Sequence, residues 1–191
     1  MTPAEWPHGR AEIEALLRER RLERVPPSTE NASALIAKAR RHLTTAETVA
    51  STDPDIGVDA LHNANRTALE AVLLDQGLRT TRDGGHTAPY VAAKAQLRTS
   101  ARGARPELFV YEVVRRLRHG ADYASYEIHL SAADVTDNLD DSRALVEICA
   151  RLVGHLPAFR PNARSGGRRA AAVSPPRQPA RCRCGGASPT G

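Results

Sequence analysis

The sequence has few aromatic residues, few cysteines and no long apolar run. Only 4% of its 191 residues are aromatic, and three are cysteines. So few aromatics disfavour a sandwich of aromatic-rich strands, and so few cysteines exclude a disulfide framework. No apolar run approaches the roughly 18 residues needed to span a membrane, and residues 1–25 lack the apolar region of a signal peptide. We therefore expect a cytoplasmic protein without membrane contact.

The sequence also lacks the usual metal and cofactor motifs. Cys182 and Cys184 form a single C-x-C pair, which is too few ligands for tetrahedral zinc, and Cys149 falls at an apolar helical position. Four aspartates between residues 134 and 141 crowd a predicted helix start, where acids stabilise the helix dipole. No dinucleotide fingerprint, Walker loop, H-E-x-x-H or G-x-S-x-G motif occurs. We predict no metal site and no cofactor.

Acidic residues are absent from the end of the chain. From Ala158 to Gly191 there is no Asp or Glu, whereas seven arginines occur there. The remainder of the chain has 20 basic and 22 acidic residues, so the basic pI belongs to this segment. Its Gly, Pro, Ser and Arg content cannot bury enough apolar surface to offset ordering entropy. Residues 158–191 are predicted to be a disordered basic tail.

Ala, Leu and Val are abundant, and their spacing predicts an all-α fold. Residues 1–27 are predicted to be a charged segment with a short helix, which ends at Pro26 and Pro27. Residues 28–157 are predicted to be a bundle of four to five helices. Capping signals stand at Ser28 or Thr29, at Pro54 and at Ser131, and no convincing strand is evident. The predicted core helices begin near residues 28, 54, 88, 106 and 131.

The residues that best suggest chemistry lie on the fourth of these helices. Their i, i+3, i+4 spacing places them on one polar face, apart from an apolar stripe that includes Val110, Val113 and Leu117. Arginine forks, an imidazole and phenols can hold a phosphate and move a proton. The alternative is a solvated or subunit-contact face, with Asp122 pairing with Arg118. The polar face consists of Arg115, Arg118, His119, Asp122, Tyr123 and Tyr126.

Three segments make the chain resemble the HEPN family of small helical bundles. They are ALEAVLLDQGL at 68–78, the loop Gly84-Gly85-His86, and LRHGADY at 117–123. The resemblance implies a homodimer whose facing helices form a composite site, acting on RNA or nucleotide and in some cases paired with a cognate partner protein. Arg118 and His119 match the Arg and polar positions of the ribonuclease motif, whereas Tyr123 stands where the motif has His.

Three functional interpretations follow. The first is a dimerisation and binding module that holds RNA or nucleotide without cleaving it, because a phenol is a poor general base at neutral pH. The second is a metal-independent ribonuclease of the toxin–antitoxin type, with Arg118, His119 and Tyr123 as catalytic residues and Arg115, Asp122 and Tyr126 as binding residues. The third assigns salt-dependent RNA binding to the arginine-rich tail. We favour the first.

Overall fold

The computed structural model describes residues 8–85, 87–97, 106–122 and 129–160. All of them belong to one compact unit, Met1–Arg160. This part of the chain is mostly helical, which confirms the all-α prediction. Its elements are α1 (Arg10–Arg18), β1 (Leu22–Arg24), α2 (Thr29–Val49), α3 (Pro54–Asp75), β2 (Leu78–Thr80), α4 (Ala88–Gln96), a 3-10 turn (Pro106–Leu108), α5 (Phe109–Asp122) and α6 (Ala132–Leu152).

The helices begin where side chains can satisfy their first backbone N–H groups. The Ser28 hydroxyl accepts a hydrogen bond from the Asn31 N–H, and the Asp53 carboxylate accepts one from the Ile56 N–H. At α6, the Asp134 carboxylate accepts hydrogen bonds from the Ser131 N–H and hydroxyl. These bonds hold the pKa of Asp134 below its usual value. The predicted caps at Ser28 and Ser131 are confirmed.

The main core lies where α3 packs against α2, α5 and α6. The inward positions that helical spacing predicts for α3 are buried throughout, and Cys149 on α6 is fully buried, as predicted. A buried hydrogen bond of 3.1 Å from Asn65 Nδ2 to Ser142 Oγ links α3 to α6. The inward residues of α3 are Val58, Leu61, Ala64, Ala68, Val72 and Asp75.

The prediction that no strand occurs is wrong. β1 and β2 form an antiparallel pair in which Leu22 lies opposite Thr80 and Arg24 opposite Leu78. Gly77, with a φ of 79°, ends α3 and turns the chain directly into β2. Strands of three residues are too short to show a period-two pattern in the sequence.

A second hydrophobic cluster joins α1, the strand pair and α4 to residue Phe159. Ile13 and Leu16 of α1 are buried in it, and Phe159 is 4% exposed. The Phe159 N–H also donates a 2.8 Å hydrogen bond to the Gln76 carbonyl. The compact unit therefore includes α1 and Phe159, which lie beyond the predicted bundle limits of 28 and 157.

The predicted apolar stripe of α5 is partly wrong. The residues that α5 turns toward the core are Val110, Tyr111 and Val114, whereas Val113 is 37% exposed. Leu117 is only partly buried. The predicted stripe is confirmed at Val110 and wrong at Val113, because Tyr111, which has a polar hydroxyl, takes the central core position.

Several sequence predictions fall outside the described residues: His86, Tyr123, Tyr126, Cys182, Cys184 and the predicted tail from Pro161 onward. Within the described ranges, no helix combines the length and apolar character needed to cross a membrane.

Candidate binding site

The predicted site residue Arg118 is tied to the neighbouring helix α3. Its Nε donates a 2.6 Å hydrogen bond to Asp59 Oδ1, and its side chain is 29% exposed. The sequence suggested Asp122, one turn along the same helix, as the partner. The observed partner, Asp59, lies 59 residues earlier in the chain. Spacing along one helix cannot predict a contact between two helices. Arg118 therefore helps to hold α5 against α3.

The other predicted residues of α5 divide between two environments. His119 is exposed, and Arg115 is half-buried beside Tyr111. Arg118 and His119 are neighbours in sequence, so their side chains leave the helix about 100° apart. Asp122 ends α5, but its side chain lies outside the description, as do Tyr123 and Tyr126. The structure brings Arg118 to α3 and Arg115 to the cavity beside α1 and α4, and it leaves His119 exposed.

Arg115 lines a cavity of about 370 Å³ between α1, α4 and α5. Tyr90, Tyr111 and Val91 form much of its surface, and its charges are mixed. The Lys94 ammonium lies 5.6 Å from the centre of the Tyr90 ring, a distance at which a cation is attracted to the ring face. Its charged lining residues are Glu12, Lys94, Glu112 and Arg115.

Three neighbouring rings, one of which is tilted by 47° against the next, were not predicted from the sequence as site residues. The rings of Tyr90 and Tyr111 are parallel to within 6°, with centroids 5.2 Å apart. The His62 ring lies 5.4 Å from the Tyr111 ring on the other side. Burial is the main cause that raises the pKa of Tyr111 to about 12. The phenol therefore stays protonated near neutrality and is a poor base.

Helix α3 exposes a single line of residues along its length, and we name it the α3 stripe. Between residues 59 and 75 every other α3 residue is buried, and the spacing of the stripe is four, three, four and four. The stripe was not among the predicted site residues, although its i, i+3, i+4 spacing is visible in the sequence. The stripe consists of Asp59, Asn63, Arg66, Glu70 and Leu74.

Arg66 lies at the middle of the α3 stripe. Its Nη1 donates a 2.9 Å hydrogen bond to Glu70 Oε1, whereas its Nε is buried without a hydrogen-bond partner. Burial raises the pKa of Glu70, and the positive charges of Arg66 and Lys38 partly oppose that rise. The Glu70 carboxylate therefore carries its charge at a desolvation cost.

His42 on α2 lies on the other side of Arg66. Burial lowers the pKa of His42, and the positive charges of Lys38, Arg41 and Arg66 lower it further. Since Arg66 also influences the pKa of Tyr111, its charge acts on groups of both α2 and α5. The α3 stripe thus lies between two helices that each bring further cations to it.

This arrangement is suited to holding an anion more than to metal chemistry. In the described ranges no cluster of three or more His, Cys, Asp or Glu side chains has the arrangement of a metal site. Arginine forks and a lysine supply donors of the kind that bind phosphate oxygens.

Comparison with known proteins gives no relative from which a function could be transferred. No family model matches the sequence, and neither a curated protein nor a solved structure shows a significant match. The function must therefore be argued from the chain itself.

Proposed function

We propose that this protein is a helical module that pairs with a second copy through α5 and binds RNA or nucleotide without cleaving it. The observation that carries the proposal is the outward face of α5. Phe109 is 56% exposed and Val113 is 37% exposed, one helical turn apart. Large apolar side chains grouped on one exposed face are typical of interaction sites.

The charges beside these two residues suit a second copy as the partner. Arg116 is exposed one turn after Val113, and Glu112, which precedes Val113, is half-buried at the edge of the cavity beside Tyr90. The two residues are of opposite sign. When two copies of a helix pack antiparallel about a two-fold axis, the order of residues is reversed across the contact. Glu112 of one copy can then lie opposite Arg116 of the other. The HEPN resemblance, which implies a homodimer, supports the same arrangement.

Two features favour binding without cleavage. Arg118, the arginine of the resembled motif, is engaged by Asp59, and Tyr123 replaces the motif's histidine. Arg115, Arg116 and His119 on α5 supply positive charge or hydrogen-bond donors for phosphate oxygens. A cytoplasmic location, where RNA and nucleotides are abundant, is part of the proposal.

Self-association is tested by the mass of the full chain across a concentration series, measured by analytical ultracentrifugation. We expect a dimer at micromolar concentration and a monomer for Phe109→Asp and Val113→Asp. Ile56→Asp is the matched control, because Ile56 is 49% exposed on α3 and lies outside this face. A wild-type chain that stays monomeric at high concentration contradicts the dimer and leaves a cognate partner protein as the occupant.

The second candidate is a metal-independent ribonuclease that uses Arg118 and His119 at the dimer interface. The exposure of His119 beside Arg118 near the end of α5 favours it. An RNA-degradation assay without added metal distinguishes the two candidates. Cleavage that is lost in both Arg118→Ala and His119→Ala, with folding retained, supports the enzyme. Binding without cleavage by the wild-type chain supports the module.

A further inference from the structure

The α3 stripe forms the floor of a groove between α2 and α5. Helix α3 packs against both of these helices, and among the described residues α2 and α5 make no extensive contact with each other. The stripe from Asp59 to Leu74 runs for about 22 Å at the helical rise per residue. The groove is thus built from one chain and is distinct from the outward face of α5 that carries Phe109.

Cations converge at the middle of this groove. Lys38 and His42 lie about one and two turns beyond Leu35 on α2, and Leu35 lines the same cavity as Glu70 of α3. Arg66 lies one turn from Glu70 on α3, and its charge acts on His42. Lys38 is exposed, and its positive charge, like that of Arg66, acts on the Glu70 carboxylate. The Glu70 carboxylate accepts a hydrogen bond from one of the three guanidinium nitrogens of Arg66, Nη1. Arg66 therefore retains donors for a further acceptor.

One end of the groove opens into a small cavity of mixed lining, in which Arg79 and Thr80 lie beside three leucines. Its volume is about 290 Å³, near the lower limit for small-molecule sites. Leu35, Leu74 and Leu78 supply the apolar surface. Glu70 lines the same cavity, so the cationic centre at Arg66 lies next to it. Anionic and apolar parts of one small ligand would thus find adjacent, complementary surroundings.

We infer that this groove binds an organic phosphate monoester, with the phosphate on Lys38, His42 and Arg66 and the organic part in the cavity of Leu35, Leu74 and Leu78. A phosphate offers several acceptor oxygens to a planar guanidinium and a lysine ammonium. This inference does not require self-association, because every residue comes from one chain.

A bound phosphate would also change the protonation of His42. The charged groups that face His42 are Lys38 and Arg41 from its own helix and Arg66 from α3, and all three are positive. A phosphate dianion among them would favour the imidazolium. Binding of the ligand therefore raises the pKa of His42.

The test measures phenyl phosphate binding to the full chain by calorimetry and by NMR of the His42 ring, assigned with His42→Gln. We expect saturable binding, weaker binding of inorganic phosphate, and no binding of phenol. Arg66→Gln should weaken binding about tenfold, as expected for loss of a charged hydrogen bond. Adenosine monophosphate, tested in parallel, shows whether a nucleotide can be the source of the phosphate.

Glu70→Gln separates a ligand site from a structural ion pair. It breaks the same pair as Arg66→Gln but removes a negative charge, so it should strengthen binding where Arg66→Gln weakens it. Arg40→Gln and Glu147→Gln break a 2.8 Å pair elsewhere on α2 and α6, with the same changes in net charge, and should leave binding unchanged. If Arg66→Gln does not fold, Lys38→Gln takes its place, because Lys38 is exposed.

Several results would overturn the inference. They are absence of phenyl phosphate binding, equal weakening by Arg40→Gln and Arg66→Gln, or weakening by both Arg66→Gln and Glu70→Gln. A His42 pKa that does not rise on binding would also place the phosphate elsewhere. Phe109→Asp should bind phenyl phosphate like the wild type, so failure of the dimer and failure of the groove are separate results.

Discussion

At the scale of single residues, Tyr111 shows how burial sets the chemistry of this protein. Its side chain is fully buried between the rings of Tyr90 and His62. The phenol packs like a core residue and keeps its proton, since its pKa is about 12. Helical spacing alone favoured Val113 as a core residue of α5, so the role of Tyr111 could not be predicted from the sequence.

The raised pKa of Tyr111 predicts a loss of stability in alkali. The phenol titrates near pH 10 when unfolded and near 12 when folded, so its contribution is complete below pH 10 and is lost as pH rises toward 12. We expect wild type to lose about 1 kcal/mol more than Tyr111→Phe between pH 8 and pH 11. Urea unfolding of both proteins at the two pH values measures this difference.

The buried thiol of Cys149 also affects stability in alkali, and it does so equally in both proteins. Burial raises the pKa of its thiol to about 12 as well, so it destabilises the folded state in alkali with the same sign. Both proteins contain Cys149, and its effect cancels in the difference between them. Equal losses in wild type and Tyr111→Phe would contradict the assigned pKa of Tyr111.

At the scale of elements, local signals predicted the starts of the helices well. Ser28, Pro54 and Ser131 mark helix starts because their effects act within one turn of the chain. The strand pair and the α3 stripe were missed, since one is too short for periodicity and the other depends on which helices flank α3. The partner of Arg118 was missed for the same reason: Asp59 is close in space and distant in sequence.

The contact between α3 and α6 rests on a buried polar pair as well as on apolar packing. Asn65 and Ser142 are both fully buried, and Asn65 Nδ2 donates to Ser142 Oγ over 3.1 Å. Ser142→Ala leaves this donor without its acceptor, and we expect a loss of about 1–3 kcal/mol in unfolding free energy. Thermal and urea unfolding measure the loss.

Thr136→Ala is the matched control for Ser142→Ala. Thr136 is exposed on the same helix, and its hydroxyl bonds only to the Ala133 carbonyl one turn earlier. Its removal should change the unfolding free energy by less than about 0.5 kcal/mol. Similar effects of the two substitutions would mean that the bond between Asn65 and Ser142 contributes nothing to the contact of α3 with α6.

At the scale of the whole molecule, residues at both ends of the described chain meet in the second hydrophobic cluster. The Arg10 guanidinium lies 5.6 Å from the centre of the Phe159 ring and donates to the Arg160 carbonyl. Composition predicted a boundary at residue 157, where Pro157 ends the apolar pattern. It could not show that a single aromatic residue beyond that proline packs against α1.

The burial of Phe159 predicts a sharp difference between two shortened chains. A chain that ends at Arg160 keeps the Phe159 side chain and its hydrogen bond to Gln76, so it should melt close to the full-length protein. A chain that ends at Pro157 loses both. We expect it to be less stable by about 3–5 kcal/mol, the range for removal of a buried aromatic side chain.

Phe159→Ala in the full-length chain separates the effect of losing the Phe159 side chain from the effect of shortening the chain. It should reproduce most of the loss seen on ending the chain at Pro157, because the backbone N–H that bonds to Gln76 is retained. Differential scanning calorimetry of the four proteins measures the effect. If the chains ending at Pro157 and Arg160 melt at the same temperature, Phe159 does not hold α1 to the rest of the molecule, and the main core alone determines the stability.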